Sequence, residues 1–192
     1  MKRVAFLVSG SGTNMENLIK RIKTGEVCAD PVMVVSNKPG VKSLEKAVAL
    51  GVKMIVIDHK VYADRAAFDM ALSECLEEHQ IDVIVLAGFM RVLTPDFVRK
   101  YYGRLINIHP ALLPAFPGAH AIKDAWDAKV KETGVTVHFV DSGVDTGPVI
   151  LQRKVPILSN DTLETLEDRI HQVEYELYPQ ALSLVLSGKT KA

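Results

Sequence analysis

Short apolar runs alternate with amphipathic stretches along most of this chain, and that alternation restricts the folds open to it more than any other feature. Residues 3–8 read as a strand buried on both faces, followed by the turn Ser9-Gly10-Ser11-Gly12-Thr13-Asn14 and an amphipathic helix to about Lys23. The pattern repeats as a strand over 32–38, a helix over 41–50, a strand over 53–57, a long helix over 64–79 and another buried strand over 82–87. Units in this order make a mainly parallel, twisted sheet flanked by helices and joined by right-handed crossovers. A helix capped by Thr94 with Pro95 at its first position comes next, then a strand ending in Asn107-Ile108-His109-Pro110, then a helix over about 119–128.

Beyond Thr133 the pattern changes. Residues 135–140 and 149–152 flank a loop rich in Gly, Asp and Pro, which predicts an antiparallel strand pair at one side of the sheet. The last helix starts at Ser159-Asn160-Asp161-Thr162, with Glu164 placed for a capping box on Asp161, and Pro179 is expected to kink or restart it. The 192 residues carry no repeat or low-complexity stretch, so they read as a single α/β domain spanning 1–192.

Twenty-three basic residues balance 23 acidic ones and the isoelectric point is near 7.0. That leaves no electrostatic footprint for nucleic acid or an anionic membrane, and a small-molecule partner is the expectation. The charged start and apolar run at the N-terminus end in a glycine-rich turn rather than a cleavage site, and no run approaches the roughly 18 apolar residues of a membrane span. A soluble, cytoplasmic protein is expected. Cys28 and Cys75 lie far apart without a CxxC and read as reduced, structural thiols. His59, His79, His120, His138 and His171 show no metal-ligand spacing, so no metal is expected.

Three places carry candidate chemistry. The strand, Gly-rich turn and helix at 3–23 form a phosphate-binding arrangement: glycines admit close backbone approach, and free N–H groups at a helix start favour an anion. A dinucleotide fingerprint would want glycine where Met15 stands and an acid about 20 residues on, and 32–38 contains none, so a phosphate monoester fits better than NAD. The connection Gly88-Phe89-Met90-Arg91-Val92-Leu93 is unusually apolar for a loop, and either plugs the core or lines a pocket for a flat ligand. At 107–109 the strand period of two puts Asn107 and His109 on one face, and Pro110 ends the pairing there. Their N–H groups suit a carbonyl oxygen that becomes an oxyanion. Read alone, Asp145 is a turn residue and Arg65 a solvated charge.

The chain resembles the phosphoribosylglycinamide formyltransferase family from end to end. The resemblance rests on Ser9-Gly10-Ser11-Gly12-Thr13-Asn14, on Leu86-Ala87-Gly88-Phe89-Met90-Arg91-Val92-Leu93, on Asn107-Ile108-His109-Pro110 with Leu112-Leu113-Pro114, and on Gly143-Val144-Asp145-Thr146-Gly147-Pro148. It implies a Rossmann-like formyltransferase fold, with an N-terminal part that binds the acceptor and a C-terminal part that binds folate. It implies 10-formyltetrahydrofolate as co-substrate, no metal, and a place in purine biosynthesis, and leaves monomer or homodimer open. By resemblance Asn107, His109 and Asp145 match the catalytic trio. Gly12, Thr13, Asn14, Gly88, Pro110 and Glu174 match contacts to the phosphoribosylglycinamide acceptor. Arg65, Met90, Arg91, Val92, Leu93, Asn107, Val140, Asp141, Val144 and Asp145 match the folate side, which overrules the bland reading of Arg65. Ala111 departs from a frequent Ser.

Three rivals differ in acceptor or in kind. A formyltetrahydrofolate hydrolase would use water, and usually adds an N-terminal module for which Met1 is expected to leave no room. A methionyl-tRNA formyltransferase usually adds a C-terminal nucleic-acid domain, which a chain stopping at Ala192 is expected to lack. A non-catalytic nucleotide sensor would have no use for Asn107, His109 and Asp145 together.

Overall fold

The structure is a computed structural model and describes residues 1–190 and 192. Its elements run β1 (Arg3–Val8), α1 (Thr13–Lys23), β2 (Asp30–Ser36), α2 (Lys42–Ala49), β3 (Lys53–Val56), α3 (Arg65–Glu78), β4 (Val83–Leu86), α4 (Pro95–Lys100), β5 (Leu105–His109), α5 (Ala121–Asp127), β6 (Glu132–Phe139), β7 (Val149–Pro156) and α6 (Leu163–Leu186). The seven strands form one sheet in the order β3-β2-β1-β4-β5-β6-β7. The first five strands in sequence pair in parallel, whereas β6 runs antiparallel to both β5 and β7. The expected antiparallel pair therefore sits at one side of the sheet, with both strands longer and α5 shorter than the sequence pattern predicts.

β1 is the third of the seven strands and is inaccessible from Val4 to Val8. Its period of two feeds two cores. Val4, Phe6 and Val8 pack with Met15, Leu18 and Ile19 of α1 and with Leu166, Ile170 and Tyr178 of α6. Ala5 and Leu7 face Phe68, Leu72 and Leu76 of α3 and Phe97 and Val98 of α4. The chain leaves β1 towards β2 on one side and reaches β4 on the other, so the connections part at the carboxyl ends of β1 and β4. Open α/β sheets hold ligands in the crevice that this reversal leaves.

Helix α6 differs from expectation in its cap, and of the two outcomes expected at Pro179 it excludes the restart. Its capping box forms one residue later than Asp161 and Glu164 would place it. The Thr162 side chain accepts from the Thr165 N–H, and the Thr165 hydroxyl accepts from the Thr162 N–H. Asp161 is taken instead by a bidentate pair with Arg169 at 2.6 and 2.7 Å and by the Leu158 N–H at 2.7 Å. These bonds, the Arg169 guanidinium foremost, hold its carboxyl well below the usual range. Nor does the helix restart at Pro179, which lies inside it. Pro179 has no N–H for the carbonyl of Tyr175, and Nδ2 of Asn17 from α1 donates to that carbonyl at 2.8 Å. The neighbouring helix thereby satisfies the acceptor that proline leaves open.

Candidate active site

α1 starts at Gly12, whose φ of 68° is left-handed and which caps the helix without a side chain. A Cβ on Gly12 would lie 2.5 Å from Cβ of Ser43, so glycine is required by both backbone and space. The first intrahelical bond runs from the Glu16 N–H to the Gly12 carbonyl, leaving the N–H groups before it free for an anion. A cleft of about 180 Å³ opens over this turn, lined by 9–14 together with Ala87, Gly88 and Met90. Asn14 donates from Nδ2 to Oε2 of Glu174 at 2.9 Å, joining α1 to α6, while its Oδ1 is buried without a hydrogen-bond partner in the protein. Burial pushes the Glu174 carboxyl up, against the Asn14 bond and the charge of His171, which pull it down.

The apolar loop after β4 packs partly on the core and is partly exposed. Leu93 is buried and Phe89 stacks on Phe68 with centroids 6.5 Å apart, so these two plug the second core. Met90 and Val92 are exposed, and the Arg91 guanidinium lies 4.9 Å from the Phe68 ring centroid. Gly88 turns the chain at φ 75°. Arg65, the first residue of α3, is exposed and makes no ion pair among the described residues.

At the end of β5, Asn107 and His109 meet Asp145. Oδ2 of Asp145 lies 3.4 Å from Nδ1 of His109 and accepts the Gly118 N–H at 2.9 Å. Oδ1 lies 3.5 Å from Nδ2 of Asn107 and 3.5 Å from Nε2 of His138. Burial would raise the Asp145 carboxyl, but His138, the Gly118 N–H and the charge on His109 outweigh it, holding the group below the ordinary carboxylate value. Asp145 sits at φ 55°, a conformation an L residue adopts at a cost, so the loop over 140–148 spends backbone strain to aim this carboxylate. Asp141 shapes the same loop by accepting from the Gly143 N–H at 3.0 Å and the Thr146 hydroxyl at 2.7 Å. Val140 packs on the second core and Val144 is exposed.

His138 and the loop after Pro110 escape the sequence reading. His138 stands opposite Asn107 on β6, is buried, and its Nδ1 lies 2.8 Å from the Phe139 carbonyl, which leaves Nε2 for Asp145 and Asn107. Nε2 of His109 donates to the Phe116 carbonyl at 2.7 Å. The ring of His109 therefore faces an acceptor on each nitrogen, and only its doubly protonated form donates to both. The carbonyl of the buried Ala111 accepts the Thr136 hydroxyl at 2.7 Å, so the loop is anchored there through backbone rather than through a Ser hydroxyl. No group of three or more His, Cys, Asp and Glu is arranged to hold a metal ion among the described residues.

An open α/β sheet with a glycine turn at the start of α1 and an amide-imidazole-carboxylate cluster at the end of β5 defines the class of protein as an α/β protein with chemistry at the carboxyl ends of its strands. The formyl transferase family model matches residues 2–182. The trifunctional purine biosynthetic protein adenosine-3 of Drosophila melanogaster is 49% identical over 97% of this chain, and the chain spans 14% of that relative's length. The phosphoribosylglycinamide formyltransferase of Bacillus subtilis is 42% identical, with 97% of this chain and 95% of that protein aligned. The crystal structure of glycinamide ribonucleotide transformylase 1 from Geobacillus kaustophilus superposes with a TM-score of 0.94 at 49% identity, covering 97% of this chain and 99% of that one. The chain belongs to the formyl transferase family, alongside its phosphoribosylglycinamide formyltransferase relatives.

Proposed function

We propose that this protein transfers the formyl group of 10-formyltetrahydrofolate to the amine of 5-phosphoribosylglycinamide, a step of purine biosynthesis in the cytoplasm, giving formylglycinamide ribonucleotide and tetrahydrofolate. The observation that carries the reading is the convergence of Asn107, His109 and Asp145 at the end of β5, where Asn107 pairs with Leu86, the residue before Ala87 and Gly88 of the cleft over the 10–14 turn. The turn at 10–14 takes the acceptor's phosphate, and Asn14 with Glu174 faces its ribose, where the unpartnered Oδ1 of Asn14 offers an acceptor to a hydroxyl. The loops at 88–93 and 140–145, with Arg65, take the folate. On this reading each ligand draws on both halves of the domain, since Glu174 of α6 serves the acceptor and Arg65 of α3 the folate.

The amine attacks the formyl carbon, the new C–N bond forms, and the carbonyl oxygen becomes an oxyanion. Asn107 has an amide proton to give it, and His109 gives a second when its Nε2 exchanges the Phe116 carbonyl for that oxygen. As the bond to N10 of folate breaks, the proton lost by the amine replaces the formyl group on N10. Asp145, ionised at neutral pH, supports the positive charge on the neighbouring imidazole and holds it in place. No step calls for a metal.

Incubating the protein with 10-formyltetrahydrofolate, with and without the glycinamide ribonucleotide, and following folate absorbance tests this reading. Conversion that requires the acceptor is expected. Equal conversion with water alone would make the protein a hydrolase, and binding without conversion would make it a sensor.

A further inference from the structure

Ser9 follows the last residue of β1, where the connections from β1 and β4 part. Its hydroxyl donates to Oδ1 of Asn37 at 2.6 Å and accepts the N–H of Met90 at 2.8 Å. One oxygen therefore joins the carboxyl ends of three adjacent strands, β2, β1 and β4. Ser9 is 6% exposed and Asn37 1%, so the bond between them is shielded from water, while the Met90 bond is part-buried. The Met90 N–H can only donate, and with Oδ1 of Asn37 facing Ser9 the hydroxyl proton goes to that oxygen. Asn37 is itself held, since its backbone carbonyl lies 2.8 Å from Nδ1 of His59.

The loop at 88–93 is pinned elsewhere as well. The Thr94 N–H donates to Oδ2 of Asp69 at 2.6 Å, and Phe89 and Arg91 both lie on the Phe68 ring. Those tethers bind the loop to α3. The Met90 bond to Ser9 is different, because Ser9 immediately precedes the turn at 10–14. We propose that Ser9, oriented by Asn37, is a positioning residue that ties the 88–93 loop to the phosphate turn, so that a phosphate in the turn tightens binding of the folate. The inference rests on the formyl-transfer reading for the identity of the two ligands. A phosphate gripped by the turn restricts Ser9, Ser9 restricts Met90, and the loop then meets the folate with less freedom left to lose. By linkage, folate must tighten the phosphate ligand by the same factor.

The test measures the dissociation constant of tetrahydrofolate by calorimetry, with and without saturating ribose 5-phosphate, in the wild type, Ser9→Ala, Asn37→Ala and the double variant. In the wild type ribose 5-phosphate should tighten tetrahydrofolate about 5-fold or more. The gain should fall below about twofold in each single variant, and the double variant should lose no more than Ser9→Ala does. A merely structural role would weaken both ligands without touching the coupling. Coupling that persists in Ser9→Ala, that is absent from the wild type, or that falls additively in the double variant would overturn the proposal. A wild type that binds no tetrahydrofolate would instead defeat the formyl-transfer reading. Amide exchange at Met90 needs no ligand and should be faster in Ser9→Ala, or in Asn37→Ala if the first variant fails to fold. Unchanged exchange would also sink the proposal.

Discussion

Oδ2 of Asp145 lies 3.4 Å from Nδ1 of His109 and at the same time accepts the Gly118 N–H at 2.9 Å, so the loop after Pro110 helps hold the carboxylate against the imidazole. Asp145→Asn keeps the shape and tolerates the left-handed backbone, but replaces the shared charge of a site containing two imidazoles with a neutral amide. Turnover is expected to fall by about 100-fold or more, with acceptor affinity little changed. Steady-state kinetics beside a thermal melt would check it. A variant within threefold of wild-type turnover would show that the charge of Asp145 is not used.

The phosphate turn predicts a split between binding and chemistry. Gly12→Ala brings a Cβ to 2.5 Å from Ser43 and strains φ at 68°, so the turn must shift. An acceptor lacking its 5′-phosphate loses the same contacts from the ligand's side. Both changes should lower kcat/KM, and in Gly12→Ala the two acceptors should differ less than they do in the wild type. Equal efficiency of the two acceptors with the wild type would remove the phosphate from the turn.

Glu174 predicts a pH dependence of stability. Burial raises its carboxyl in the folded protein, so the fold binds a proton that the unfolded chain has already released. Stability from this group is complete below the ordinary carboxylate range and is lost as pH rises through the raised folded value. Glu174→Gln keeps an oxygen for Asn14 and cannot ionise, so its stability advantage over the wild type should grow with pH across that window. Urea denaturation from pH 4 to pH 8 is the check, and a constant difference would mean that Glu174 does not titrate differently on folding.

How much of this was legible in the sequence depends on how local each cause is. The strands, the turn at 10–14 and the Thr94-Pro95 start of α4 follow from period, glycine and caps within a few residues, and all are found. His138 was readable only as a strand residue, because nothing in Val135-Thr136-Val137-His138 reveals that β6 pairs antiparallel with β5 and sets it opposite Asn107. Phe116 and Gly118 act through a backbone carbonyl and a backbone N–H, which no side chain announces. The capping box went to Thr162 because Arg169, two turns on, claims Asp161.

Pro179 is the same lesson in stability. Asn17→Ala should cost about 1–3 kcal/mol, because it strips the Tyr175 carbonyl of its donor. Pro179→Ala restores a helical N–H for that carbonyl and should recover much of the loss in the Asn17→Ala background. Denaturant titration of the two single variants and the double variant would decide it. A double variant no more stable than Asn17→Ala would leave the continuous helix through Pro179 without this explanation.

Stabilisation of an oxyanion at the end of β5 during formyl transfer is tested on Asn107. Turnover of Asn107→Ala and its dissociation constant for tetrahydrofolate should be measured on the same preparation. Turnover should be lower by ~100- to 1,000-fold with folate affinity within about twofold of the wild type. Wild-type turnover in Asn107→Ala would contradict it.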